Sequence, residues 1–285
     1  MAVRWWVGFH AVRQRCAAAA SVVMLASSAW LCAALPVAAA PQPVQVWRIA
    51  TGELPPYATQ SRPDQGLALN IVRQALQTQG VQVEFVFMPW ARAQEETRAG
   101  LWDATATWGR RADRERDFLL SDNVLTEQWV VLHRSSKPLD WHKPDDLRGL
   151  RMAAISTYTY TPEILAMLRD GGIQADWTPD DMAALNKLAA GRVDIMILDR
   201  NVACTLMDSQ LPPAQAKLIR AHPRMVTDTF TSHLMLPRGK VGGDERLRLF
   251  NRGIAALRSN GSLARLSAPI PCAAGLPAPT PAAAP

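Results

Sequence analysis

Thr107-Trp-Gly-Arg-Arg-Ala-Asp-Arg-Glu-Arg-Asp-Phe-Leu-Leu-Ser-Asp122 is the stretch that decides the fold of this chain. It follows a turn, Gly100-Leu-Trp-Asp-Ala104, and the same pattern of turn and strand recurs as Gly191-Arg-Val-Asp-Ile195, which runs into Asp199. A basic cluster at one strand end and a lone carboxylate at another can hold the two charges of a zwitterion. The pattern therefore indicates a binder of amino-acid-like solutes.

The segments before this stretch alternate between strand and helix patterns. Helical spacing of apolar residues around Leu69 to Leu76 predicts one helix, and a second helix is predicted over 91–99. Between and beside them, three runs have the composition of strands: Val44–Ala50, Val81–Met88 and Asp103–Thr107. This alternation predicts an α/β unit with a mostly parallel sheet.

The pattern starts again after a charged connector, 135–146. Strands are predicted at Leu150–Ile155 and Val193–Leu198, with helices that begin at the caps Thr161-Pro162 and Asp180-Asp181. A last helix is predicted over Asp244–Asn260. Two α/β units in tandem predict two lobes. The Ala/Pro-rich end, 271–285, has no periodicity and is expected to be disordered.

The first forty residues have the composition of a secretory signal peptide. Arginines without any acidic residue precede an apolar run, Ala17–Leu35, and small residues follow at Val37–Ala40. We expect cleavage after Ala39 and a periplasmic mature protein; a retained membrane anchor is the alternative. Two cysteines, Cys204 and Cys272, remain after cleavage, and they either form a disulfide or stay as free thiols.

Composition excludes several classes of function. Cleavage removes three arginines, so the formal charge falls from +6 to +3, and no basic run interleaved with aromatics marks a nucleic-acid surface. No later segment has the roughly 20 apolar residues that a membrane span needs. The five histidines form no metal-ligand spacing, and no catalytic motif is present. We therefore expect a soluble monomer without metal, cofactor or catalytic residues.

Six segments in this order and spacing resemble the family 3 bacterial extracellular solute-binding proteins, in particular members that contain Met-Pro-Trp-Ala-Arg. The resemblance covers roughly residues 44 to 265. The matching segments are Thr51-Gly-Glu-Leu-Pro-Pro-Tyr57, Met88-Pro-Trp-Ala-Arg92, Gly100-Leu-Trp-Asp103, Arg114 through Ser121-Asp122, Leu147-Arg-Gly-Leu-Arg-Met152, and Gly191-Arg-Val-Asp194 with Asp199.

The resemblance implies the two-lobed periplasmic binding protein-like fold (type II), in which two crossovers form a hinge. Lobe 1 would comprise 40–132 and a return segment, 234–270, and lobe 2 would comprise 133–233. The ligand would lie between the lobes.

The resemblance also implies the residues that contact the ligand. Arg114 matches the arginine that holds the ligand's carboxylate, with Arg110, Arg111 and Arg116 as rivals. Asp199 matches the carboxylate that takes the ligand's ammonium group, or it caps the next helix.

Aromatic and polar candidates surround these two charges. Tyr57 and Trp90 match aromatic pocket walls, although Trp90 also suits a core position, and Trp108 stands where relatives have small hydroxylated residues. Tyr158 and Thr159 lie in the matching loop of lobe 2, which is otherwise a plain connection. The remaining polar candidates, for which a surface salt bridge is the alternative, are Glu53 and Arg92.

The resemblance implies a periplasmic receptor that delivers an amino acid or related carboxylate to an ABC transporter permease. Two alternatives stay open. One is an enzyme of the same fold, similar to dehydratases that act on prephenate-like acids. The other is a ligand-sensing module for a separate membrane partner.

Overall fold

The strands of this chain join into one mixed sheet with helices packed against it. The computed structural model describes residues 45–268, 270–272 and 276, all within one compact unit. The predicted signal peptide and most of the predicted Ala/Pro tail lie outside the described residues. The strands are β1 (Gln45–Thr51), β2 (Val81–Phe87), β3 (Ala104–Gly109), β4 (Phe118–Leu120), β5 (Leu125–Arg134), β6 (Arg151–Ile155), β7 (Gln174–Thr178), β8 (Ile195–Asp199) and β9 (Ile219–Pro237).

The helices follow the strands in the alternation that the sequence predicts. They are α1 (Leu67–Gln77), α2 (Trp90–Arg98), α3 (Ala112–Asp117), α4 (Pro162–Arg169), α5 (Asp181–Ala189), α6 (Arg200–Ser209), α7 (Pro213–Ala216), α8 (Gly243–Ser259) and α9 (Ser262–Leu266). The side chains of Thr161 and Asp180 cap α4 and α5, as predicted. The strand pattern did not predict β4, β5, β7 or β9.

The sheet has two parallel halves joined by an antiparallel centre. Its order is β2-β1-β3-β9-β5-β8-β6-β7, with β4 beside β9. β1 pairs in parallel with β2 and β3, and β6 pairs in parallel with β7 and β8. The mostly parallel sheet predicted for each unit is therefore present.

Two long strands connect the halves. β9 pairs with β5 along its first part and with β3 and β4 along its last part. β5 gains β8 as a second neighbour from Trp129 onward. The predicted lobe boundaries, 132/133 and 233/234, fall within these two strands.

Close packing of two helices supports the first half. α1 buries one apolar face, whose residues include Leu69, Val72 and Leu76. α8 crosses it at Gly253, where an added Cβ would lie 2.2 Å from the carbonyl oxygen of Ala75. Only glycine allows the two backbones to approach this closely.

A β-bulge ends β3 next to the candidate site. Thr105 pairs with Met235 and Trp108 with His233, so β3 has one extra residue between the pairs. Thr107 has a φ of 66°, a left-handed conformation that is uncommon for a β-branched residue. The bulge turns the following residues of β3 toward the centre of the sheet.

A disulfide joins residues 270–272 to the second half. Cys204 in α6 is bonded to Cys272, with a Cα–Cα distance of 5.4 Å. Of the two alternatives for these cysteines, the structure contains the disulfide. Among the described residues, no helix is long and apolar enough to cross a membrane.

Candidate functional site

A cavity of about 50 Å³ lies at the centre of the sheet. The end of β3 and the loop after β6 face each other across it, and β5, β8 and β9 form its floor. A cavity of this size holds a few water molecules, whereas small-ligand sites usually measure about 300–1,000 Å³. The side chains that line the cavity must therefore rearrange to admit a solute.

Arg114 crosses this cavity from the first half to the second. Its side chain is buried, and Nη1 donates to the carbonyl oxygen of Gly109 at 2.9 Å. Nη2 donates to the carbonyl oxygen of Thr157 at 3.0 Å, and Nη1 also donates to the hydroxyl of Thr159. Its guanidinium carbon lies 4.6 Å from the ring centroid of Trp108. Arg114 therefore holds the halves together.

The guanidinium of Arg114 forms no ion pair with a carboxylate in the part of the chain that the structure describes. No Asp or Glu of the described residues lies within 4 Å of its nitrogens. Burial lowers the pKa of Arg114 to about 10, so the group still carries its charge at neutral pH. A buried, unpaired cation is costly unless an anion joins it.

The rival arginines lie elsewhere. Arg110 is exposed and pairs with Glu115, and Arg111 pairs with Asp113. Arg116 is exposed. None of the three lines the cavity.

Asp199 lines the cavity and also caps α6. Its Oδ1 accepts hydrogen bonds from the backbone of Asn201 at 2.8 Å and Val202 at 3.0 Å, and from the hydroxyl of Tyr57 at 2.9 Å. Its Oδ2 accepts from the backbone N–H of Gln128 at 3.0 Å. Burial raises the pKa of Asp199 to about 6. Asp199 is therefore the N-cap of α6, which is one of the two roles that the sequence allows for it.

Tyr57 lies behind Asp199 and does not line the cavity. The ring is buried, and the hydroxyl also accepts from the side chain of Asn201 at 3.0 Å. Burial raises the pKa of Tyr57 well above its usual value. Tyr57 supports the carboxylate of Asp199 from the first half of the sheet.

Glu127 is the site residue that sequence reasoning missed. It lines the cavity from β5, is buried, and accepts hydrogen bonds from Trp129 Nε1 at 3.0 Å and Ser232 Oγ at 2.6 Å. Burial, and then the nearby Asp199, raise the pKa of Glu127 to about 8. A signal existed, because alternation along β5 puts Glu127 on the same face as the buried Leu125 and Trp129.

Aromatic side chains form the walls. Trp90 and Trp108 meet edge to face with ring centroids 5.2 Å apart. On the other side, the ring of Trp129 lies 5.0 Å from Phe230 and 5.5 Å from Tyr158. Trp90 is half-buried and lines the cavity.

A second, outer pocket of about 370 Å³ adjoins the cavity and shares Trp90, Thr157 and Tyr158 with it. The hydroxyl of Tyr158 donates to the carboxylate of Asp181 at 2.6 Å. Burial raises the pKa of Asp181 to about 7. This outer pocket leaves room for a ligand side chain.

The structure brings together six of the nine predicted site residues. Around the inner cavity lie Arg114, Asp199, Trp90, Trp108, Tyr158 and Thr159. Glu53 is exposed, accepts from the backbone of Gln60 at 2.9 Å, and lines the outer pocket but not the inner cavity. Arg92 is exposed, pairs with Glu96 at 2.7 Å, and lines neither pocket. Arg92 therefore forms a surface salt bridge, which is the alternative that the sequence allows to a role in the site.

Comparison with solved structures identifies the fold. One similar structure is an arginine 3rd transport system periplasmic binding protein from Legionella pneumophila (14% identity, 78% of this chain and 97% of that chain covered, TM-score 0.65). Another is a histidine kinase sensor domain with similarity to periplasmic binding proteins (19%, 79% and 96%, TM-score 0.67). A third is the ancestral amino acid-binding protein AncCDT-1, a precursor of cyclohexadienyl dehydratase (18%, 78% and 92%, TM-score 0.61).

These likenesses confirm the predicted two-lobed α/β fold and, at such identities, show the fold alone. A comparison with curated protein sequences gave no match. The model of the bacterial extracellular solute-binding proteins, family 3, matches residues 48–269. This chain therefore belongs to the family 3 bacterial extracellular solute-binding proteins.

Proposed function

We propose that this protein is a periplasmic receptor that encloses an amino acid or a related small carboxylate and delivers it to an ABC transporter. The signal peptide would export it and be cleaved near Ala39. Lobe 1 would comprise 40–132 and 234–270, and lobe 2 would comprise 133–233. The site then lies between the lobes.

The buried, unpaired charge of Arg114 carries this proposal. A guanidinium presents a planar fork of donors that matches a carboxylate. In this structure, Arg114 donates these hydrogen bonds to Gly109, Thr157 and Thr159. A ligand carboxylate would replace the contacts to lobe 2 and supply the missing negative charge. Ligand binding and lobe closure would then use the same side chain.

Thermal unfolding of residues 40–285 against amino acids, polyamines, dipeptides and small carboxylates tests this function. A ligand at one hundred times its dissociation constant stabilises the native state by about 2.7 kcal/mol. For a chain of this length, that raises the melting midpoint by about 5–10 °C. A shift with amino acids supports the proposal; no shift with any carboxylate contradicts it.

One observation favours a second candidate function, a dehydratase of prephenate-like acids. Burial keeps Glu127 protonated at neutral pH, and a protonated carboxyl in a binding cavity is suited to act as a general acid. Incubation with prephenate or arogenate, with Glu127→Gln as the control, distinguishes the dehydratase from the receptor. Turnover that depends on Glu127 would show an enzyme. Absence of turnover, together with binding of an amino acid, would support the receptor.

A further inference from the structure

We propose that Glu127, and not Asp199, is the carboxylate that receives the α-ammonium group of the bound amino acid. This assignment rests on the function proposed above. It changes the role that the resemblance gives to Asp199, and it follows from the hydrogen bonds of the two carboxylates.

The carboxylate of Asp199 already accepts several hydrogen bonds from other residues of the protein. Three donors converge on Oδ1, from Tyr57, Asn201 and Val202, and Gln128 donates to Oδ2. A carboxylate has about four acceptor positions in total. Oδ1 of Asp199 is therefore saturated by bonds that fix the start of α6, and only Oδ2 retains an acceptor position.

Glu127 retains acceptor capacity on both oxygens. Each oxygen accepts one hydrogen bond, from Ser232 and from Trp129 respectively. In the described part of the chain, no Lys or Arg forms an ion pair with Glu127. The carboxyl is buried and lines the inner cavity. A ligand ammonium group beside it would pair with the ionised carboxylate.

One cross-strand pair links Glu127 to Arg114. Gly109 of β3 lies directly opposite Ser232 of β9. Arg114 donates to the carbonyl oxygen of Gly109, and the hydroxyl of Ser232 donates to Glu127. Opposite residues in an antiparallel pair have Cα atoms about 5 Å apart. Arg114 and Glu127 are therefore each hydrogen-bonded to one member of this pair, and both line the same cavity. This arrangement lets one ligand bring its carboxylate to Arg114 and its ammonium group to Glu127.

The hydrogen bond from Trp129 stabilises the ionised form of Glu127. The indole N–H donates to the carboxylate at 3.0 Å, so the positive edge of the ring faces Glu127. Phe230 packs on Trp129 with ring centroids 5.0 Å apart, and both rings line the cavity. Where such rings exclude water, a carboxylate attracts an ammonium group more strongly.

Binding of an ammonium group should release a proton. The charged and titratable groups that face Glu127 are Asp199, Tyr57, Tyr158 and Arg114. Burial keeps Glu127 protonated in the free protein at pH 7. A cation beside it favours the ionised form, so the pKa falls and the proton leaves.

The test compares the affinity for a bound amino acid with the affinity for its 2-hydroxy acid analogue, which lacks the ammonium group. A hydrogen bond to a charged group corresponds to roughly 10- to 100-fold in affinity. We expect the wild type to prefer the amino acid by about this factor. Glu127→Gln should remove the preference, whereas Asp199→Asn should keep it and lower thermal stability. Loss of the preference in Asp199→Asn alone would overturn the assignment.

Calorimetry of the wild type keeps the proposal testable if Glu127→Gln does not fold. Titration at pH 7 in buffers of different ionisation enthalpy should show about one proton released per amino acid and none per hydroxy acid. Equal proton release for the two ligands would contradict the assignment but leave the receptor function intact. Absence of binding by both ligands and by every other amino acid would contradict both proposals.

Discussion

Glu127→Gln should stabilise the ligand-free protein at alkaline pH while it removes recognition of the ammonium group. The pKa of Glu127 rises from 4.5 in the unfolded chain to about 8 in the folded protein, mainly because the group is buried. Between these values the folded protein binds more protons than the unfolded chain. The free energy of unfolding therefore falls as pH rises through this window.

The structure sets an upper limit on the effect. The difference between 4.5 and about 8, at about 1.4 kcal/mol for each pH unit, gives at most about 5 kcal/mol above pH 8. Glutamine resembles the protonated carboxyl in shape and does not titrate. The variant should therefore lose less stability than the wild type between pH 5 and pH 8.

Urea unfolding at several pH values, followed by far-UV circular dichroism, measures this difference. Glu163→Gln is the matched control, because Glu163 is an exposed carboxylate on α4. We expect its stability curve to run parallel to that of the wild type. A parallel curve for Glu127→Gln as well would refute the reasoning, since Glu127 would then titrate alike in the folded and unfolded chains.

Reduction of the Cys204–Cys272 bond, which spans 68 residues, should lower the free energy of unfolding by about 4 kcal/mol. An unchanged urea midpoint with reductant would contradict this. Gly109→Ala should weaken ligand affinity at least about tenfold with the fold intact, because the new Cβ would lie 2.3 Å from Phe230 and 2.9 Å from Thr159 and would hold the lobes apart. The control is Gly239→Ala, where nothing lies within 4 Å; calorimetric affinities equal in both variants would show that closure does not need Gly109.

The alternation of strands and helices was readable from the sequence because each element satisfies its own pattern. Thr161 and Asp180 cap helices where the sequence places them, and the predicted strands agree with the observed ones within two residues. The sequence did not predict β9, because the alternation of apolar and polar residues along it is weak. It contains Pro223, and its first part alternates poorly between buried and exposed residues. Pairing with β3 and β5, which lie far away in sequence, makes it a strand.

The site was only partly readable for a similar reason. The family resemblance selected Arg114 among four nearby arginines, and the structure buries Arg114 while exposing Arg110 and Arg116. No sequence motif marks Glu127 as a site residue, because its role depends on Ser232, 105 residues away, and on the fold that buries both. For Asp199, the sequence is compatible both with ligand contact and with a helix cap. Only the hydrogen bonds in the structure show that the carboxylate caps α6.

The most direct test of the central claim is calorimetric titration of an amino acid ligand into the wild type, Arg114→Met and Arg116→Met. Arg114 and Arg116 lie on the same short helix, one buried in the cavity and one exposed. We expect Arg116→Met to bind like the wild type and Arg114→Met to lose at least about 100-fold in affinity, since a buried charge-assisted pair is removed. Equal affinity in the two variants would contradict an amino-acid receptor built around Arg114.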